Sequence, residues 1–66
     1  MKIRWRILGG EWREVETSAK TVGELMSELG ISYEEYLPSR NGKLVTPDDE
    51  INESDEITFV PVVSGG

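Results

Sequence analysis

Nothing in this chain can be stapled: its 66 residues include no cysteine and no histidine. That excludes a disulfide framework, a thiolate nucleophile, a Cys/His zinc site and any Ser-His-Asp arrangement. A chain this short lies near the lower limit for folding without such supports, so it must be one domain held by side-chain packing. Apolar residues make up 36% of it, enough for one small core, and a compact chain of this size is too small to hold a deep cofactor cleft. Seven basic against thirteen acidic residues leave a net charge of -6. Nonspecific nucleic-acid and anionic-membrane binding both want the opposite sign, so neither is expected, whereas a partner with a basic surface is compatible. The apolar runs fall far short of a membrane span and no signal-like segment opens the chain, so the expected location is cytoplasmic.

Met1 to Leu8, MKIRWRIL, alternates Ile3, Trp5 and Ile7 with Lys2, Arg4 and Arg6. Period-two alternation of β-branched and aromatic residues with charges predicts a half-buried strand. Gly9-Gly10 supplies a turn, and Glu11 to Thr17, EWREVET, is the return strand. A strict two-residue loop would place Glu14 opposite Trp5 and Glu16 opposite Ile3, burying carboxylates. An odd loop of Gly9, Gly10 and Glu11 instead pairs Trp5 with Val15, Arg6 with Glu14 and Arg4 with Glu16. That register leaves Leu8 and Trp12 together on the outer face.

Thr21 to Gly30, TVGELMSELG, predicts the one main helix. Thr21 and Glu24 have capping-box spacing, Val22, Leu25, Met26 and Leu29 form one apolar stripe, and Gly30 is the stop. Gly23 inside the first turn is unfavourable by about 1 kcal/mol against Ala. Asn41-Gly42 predicts a hairpin joining a short strand at Tyr36 to Arg40 with another at Lys43 to Val45. Pro47 to Glu50 reads as a turn, Ile51 as a plug for the core, and Asn52 to Asp55 as a second turn. Glu56 to Val63 is the closing strand, with Ile57 and Phe59 inward and Pro61 marking the end of regular pairing. Ser64-Gly65-Gly66 reads as a mobile tail.

NGKLV at Asn41 to Val45 and DEITFVPVVSGG at Asp55 to Gly66 resemble the ThiS/MoaD family of small sulfur carriers, ubiquitin-like proteins ending in Gly-Gly. The resemblance spans the chain in length and element order, and its specific part is the last third. It implies an α+β fold: a two-layer β-grasp in which a mixed sheet, with its first and last strands parallel, packs against one main helix. Residues 1–63 would be the single domain and 64–66 a flexible reactive tail. The family commonly has a glycine before the Asp that opens the last strand; Ser54 stands there in this chain. We expect that turn not to require a positive φ.

The resemblance further implies a protein co-substrate that is not itself an enzyme. A ubiquitin-activating-like adenylyltransferase, using ATP and Mg²⁺, would adenylate the carboxylate of Gly66. A sulfur donor enzyme would then convert it to a thiocarboxylate for a sulfur-accepting enzyme of thiamine, molybdopterin or related thio-cofactor or tRNA biosynthesis. No cofactor would be stably bound. Gly65 and Ser64 would be the tail that the activating enzyme recognises. The residues suit this chemistry: two glycines give the narrowest cross-section, and Gly66 has no Cβ to crowd its carbonyl. Extended, the segment from Val62 to Gly66 reaches roughly 15 Å.

Leu8 and Trp12, extended by Phe59 and Val60 near the tail, are the candidate partner-binding surface. For Trp12 two readings stand, an outer docking contact or a core residue under a different register. Asp48-Asp49-Glu50 lacks calcium-loop spacing and reads as a solvated turn, not a metal site. Glu34-Glu35 has no associated base or pocket that would make it a catalytic pair. Two rival functions use the same sequence: a ubiquitin-like modifier conjugated to lysines through Gly66, and a non-covalent interaction domain. In the latter, Gly65-Gly66 would be only a frayed end or a processing remnant. No self-complementary strip is visible, so a monomer is expected.

Overall fold

The computed structural model describes residues 1–63; Ser64, Gly65 and Gly66, and with them the expected mobile tail, lie outside the described residues. The alternating N-terminal run forms β1 (Lys2–Ile7), followed by β2 (Arg13–Glu16), α1 (Val22–Leu29), β3 (Tyr36–Arg40), β4 (Lys43–Leu44) and β5 (Glu56–Pro61). The strands make one sheet in the order β2-β1-β5-β3-β4. β1 and β5 run parallel at its centre, and every other pair is antiparallel. A parallel pair needs a long crossover between its strands, and α1 lies within that crossover. The molecule is a two-layer α+β, ubiquitin-like β-grasp.

One face of the sheet supplies Ile3, Ile57 and Phe59 to the core, and α1 supplies Val22, Leu25 and Met26; all six are buried. Ile51 and Ala19 close the core, and Trp5 meets Phe59 edge to face with ring centroids 6.0 Å apart. Trp5 is only partly buried, with the Arg13 guanidinium 5.9 Å over its ring.

The helix begins as its sequence dictates. Thr21 accepts the Glu24 N–H at 3.2 Å, but the Glu24 carboxylate reaches one residue further back than a capping box requires, to the Lys20 N–H at 2.8 Å. The Val22 and Gly23 N–H groups donate to the carbonyls of Asp49 and Pro47, both at 2.9 Å. Those two donors would otherwise be orphaned at the helix start. A Cβ on Gly23 would stand 3.1 Å from both the Cβ and the carbonyl oxygen of Pro47. The glycine that weakens the isolated helix is therefore the residue that lets the 46–50 turn dock on it. At the other end the Gly30 and Ile31 N–H groups return to Ser27 and Met26 in a Schellman arrangement.

The first hairpin corrects the expected register. The pairs are Lys2 with Glu16, Ile3 with Val15, Arg4 with Glu14 and Trp5 with Arg13. Each partner lies two residues from the expected one. A two-residue slide keeps every side chain on its face, so alternation alone cannot detect it. The return strand is also shorter than Glu11 to Thr17, because the ladder opens after Trp5 and the turn closes on Ile7 (Gly10 N–H to Ile7 carbonyl, 2.7 Å).

The turn before β5 is the second correction. Ser54 has φ +69, a left-handed conformation, so this turn does adopt a positive φ, contrary to the expectation. For a residue with a Cβ that conformation is unfavourable by roughly 1 kcal/mol or more. The next residue fixes the turn. Asp55 is buried, and its carboxylate accepts from Arg40 Nε at 2.7 Å, Asn41 Nδ2 at 3.0 Å and the Asn52 N–H at 2.7 Å. Asn41 Oδ1 in turn accepts the Glu56 N–H at 3.0 Å. Burial acts to raise the Asp55 pKa, but the hydrogen bonds and the Arg40 charge outweigh it and hold it below the ordinary carboxylate value. The Asn41-Gly42 hairpin, with φ +51 and +89, is thereby tied to the start of β5.

Candidate functional site

The face of the sheet away from α1 leads to the C-terminal tail. Side-chain alternation and the ladders fix what it presents. Arg6 lies beside Thr58 of β5, Thr58 beside Ser39 of β3, and Ser39 beside Leu44 of β4. One step towards the tail, the Leu8 N–H donates to the Phe59 carbonyl at 2.9 Å, placing Leu8 in register with Val60, and Val60 pairs with Leu37. Leu8, Val60 and Leu37 thus form an apolar row across three strands, flanked by Leu44 and Trp12. Leu8 is 53% exposed, Leu44 68% and Trp12 36%, while Val60 and Leu37 are half-buried.

Beyond this row the chain runs to its end. The Val62 N–H donates to the Glu35 carbonyl at 2.9 Å, the last described backbone bond before the tail, and Val63 is exposed. Glu34, Glu35, Tyr36, Pro61 and Val62 line a groove at this point. The row and the exit of the tail are therefore adjacent on one side of the molecule.

The charges of the face are mostly paired. Lys2 Nζ stands 4.0 Å from Glu14, Arg4 lies 2.8 Å from Glu56, and the Met1 ammonium donates to Glu16 at 2.8 Å. Arg4 and Arg6 also stack on Trp12, with their guanidinium carbons 5.0 and 4.7 Å from its ring centroid. This explains why Trp12 is held at the surface and is not core: its ring lies along the charged side of β1. Asp49, from the acidic run, accepts from the Thr46 N–H at 2.8 Å and so serves its own turn. Among the described residues no group of three or more acidic side chains is arranged to hold a metal.

Of the expected site residues, Leu8, Trp12 and Val60 come together on this face. Phe59 does not: it is fully buried under α1 and cannot touch a partner. The physical reason is the strand period, since Phe59 and Val60 are neighbours and must face opposite ways. Ser64, Gly65 and Gly66 lie outside the described residues. Leu37 and Leu44 were missed. Buried Pro38 is the neighbour of Leu37, so the same alternation would have turned Leu37 outward had the inward side of β3 been known.

Comparison with known proteins places this geometry. The ThiS family model matches residues 4–66, nearly the whole chain including the tail. The chain belongs to the ThiS family, the ThiS/MoaD-like small sulfur carriers. It is 33% identical over 57 residues to the sulfur carrier protein TtuB of Thermus thermophilus, covering 85% of this chain and 88% of that protein. Among solved structures it resembles SAMP1 from Haloferax volcanii, with TM-score 0.74 and 21% identity over the full length of both chains. It also resembles a chain of the complex of subunits 1 and 2 of the molybdopterin-converting factor from Helicobacter pylori, with TM-score 0.71 and 20% identity over the full length of both. These two likenesses show the shared β-grasp fold.

Proposed function

We propose that this chain carries sulfur on its C-terminal carboxylate as a co-substrate of an activating enzyme. The observation that supports this most is a family match that runs through Gly66, five residues beyond the end of β5 at Pro61. In the first step an oxygen of the Gly66 carboxylate attacks the α-phosphorus of Mg-ATP, and pyrophosphate leaves. In the second, a sulfide-level nucleophile from a donor enzyme attacks the acyl carbon; the C–O bond to AMP breaks, AMP departs with the electron pair, and a thiocarboxylate remains. No net redox change occurs in that exchange. Adenylation removes the charge that makes a carboxylate unreactive, and a carbonyl on glycine leaves the attack path open.

The folded part contributes position. Leu8, Trp12, Val60, Leu37 and Leu44 dock on the activating enzyme, and Ser64 and Gly65 thread its channel so that Gly66 meets ATP. Backbone hydrogen bonds from that channel offset the entropy lost when the tail is straightened. The recipient of the sulfur in this proposal is an enzyme of thiamine, molybdopterin or related thio-cofactor or tRNA biosynthesis; the sulfur-carrier name of the Thermus relative supports the carrier role itself.

The test is formation of AMP from ATP by the activating enzyme of the same organism, in the presence of a sulfur donor. The intact chain should support it and a chain lacking Gly65-Gly66 should not. Equal AMP formation by the two would contradict the proposal. Accumulation of isopeptide-linked proteins, with no thiocarboxylate, would replace it with a modifier role for the same carboxylate.

A further inference from the structure

We infer that the activating enzyme meets this face with a carboxylate, and that Arg6 is the residue selecting it. The inference rests on the carrier reading above and adds the chemistry of the partner. Four side chains carry the argument: Arg6, Trp12, Thr58 and Leu8.

Arg4 and Lys2 have carboxylates of their own on this face, Glu56 and Glu14. Arg6 has none among the described residues. Its guanidinium is nevertheless held in place: Nε donates to Thr58 Oγ1 at 3.3 Å, and the guanidinium carbon lies over the Trp12 ring, 4.7 Å from its centroid. A stacked and tethered guanidinium loses little freedom on pairing and leaves its terminal N–H groups for a bidentate acceptor. Arg6 also sits one step along β1 from the apolar row, since its neighbour Thr58 is two residues from Val60 on the same face of β5. A partner that covers Leu8, Val60 and Trp12 therefore also covers Arg6. Removing a guanidinium from water without a counter-charge opposes docking, whereas a partner carboxylate turns the same burial into a charge-assisted pair.

The consequence runs against the charge of the whole chain. At a net charge of -6 the protein as a whole attracts basic surfaces. Its docking face presents the reverse, a cation beside an aromatic ring with no carboxylate partner among the described residues. Selection at contact is then made by a local charge opposite in sign to the long-range field.

The experiment measures Kd of the full chain for the activating enzyme, with adenylation of Gly66 followed in parallel. Arg6→Glu should weaken binding by more than about tenfold and Arg6→Gln by less. Lys20→Glu makes the same change in net charge outside this face and should alter Kd by no more than about twofold. Thermal melting confirms that each variant folds, and Arg6→Gln can keep the Thr58 contact. Equal losses in Arg6→Glu and Lys20→Glu would overturn the inference, as would tighter binding by Arg6→Glu. If the wild-type chain is adenylated and Arg6→Glu performs equally well, the inference falls and the carrier reading stands. If the wild-type chain is never adenylated by an enzyme active on a known carrier, the carrier reading falls and takes this inference with it.

Discussion

The two hairpins of this β-grasp are built on opposite plans. The β3–β4 hairpin is closed by two residues, Asn41 and Gly42, both at positive φ, and is locked to β5 through Arg40, Asn41 and the buried Asp55. The β1–β2 hairpin opens after Trp5, and its connecting residues carry Leu8 and Trp12 at the surface. The locked hairpin holds the start of β5 in register, while the open one presents the side chains we assign to docking. The lock and the proposed docking face thus lie towards different ends of the same strand, β5.

Breaking the locked end should have the largest effect on stability. Asp55→Ala removes the acceptor of three hydrogen bonds and leaves Arg40 and Asn41 without it, which should destabilise the fold by about 2–4 kcal/mol in denaturant unfolding. Loss of less than about 0.5 kcal/mol would show that the lock is incidental.

The same lock predicts a pH dependence. The folded-state pKa of Asp55 lies below its unfolded value, so below that unfolded value, about 3.9, the unfolded chain binds the extra proton. The Asp55 contribution is therefore complete above about pH 4 and is lost as pH falls from there through the folded value. Relative to wild type, Asp55→Asn should flatten the acid limb of stability against pH; an unchanged limb would remove Asp55 from the account.

A smaller effect of opposite sign is expected beside it. Ser54→Gly relieves a left-handed Cβ and should stabilise the protein by roughly 0.5–1 kcal/mol, after the extra chain entropy of glycine is offset. A destabilisation would mean that the Ser54 side chain supports the turn. The stability change at the open end should likewise be small. Trp12→Ala should shift unfolding by about 1 kcal/mol or less, since its contacts are surface stacking with arginines, yet it should lower kcat/KM for adenylation. Loss of stability without loss of kcat/KM would reverse the division between the two hairpins.

The difference between the hairpins also explains what could be read from the residues. Asn41-Gly42 specifies its own turn by backbone preference, so β3 and β4 were legible almost to the residue. Thr21, the apolar stripe from Val22 to Leu29 and Gly30 likewise defined α1 locally, and alternation turned Ile57 and Phe59 inward. The β1–β2 register was not legible, because partners two residues apart satisfy the same alternation and only packing of Arg13 over Trp5 and of Arg4 and Arg6 over Trp12 distinguishes them. The φ of Ser54 is set by its neighbour, Asp55, reaching across to Arg40 and Asn41, which no local pattern records. The proposed docking face was half legible: Leu8, Trp12 and Val60 could be named, Phe59 was counted with them although its own alternation turned it inward, and Leu37 and Leu44 became visible only with the strand order.

The most direct test of the central claim is the intact mass of the chain after incubation with its activating enzyme, Mg-ATP and a sulfur donor. The account predicts a mass gain equal to replacement of one oxygen by sulfur, located by fragmentation at Gly66 and absent when Gly66 is deleted. No gain and no adenylate, with an enzyme shown to be active on a carrier of its own, would contradict it.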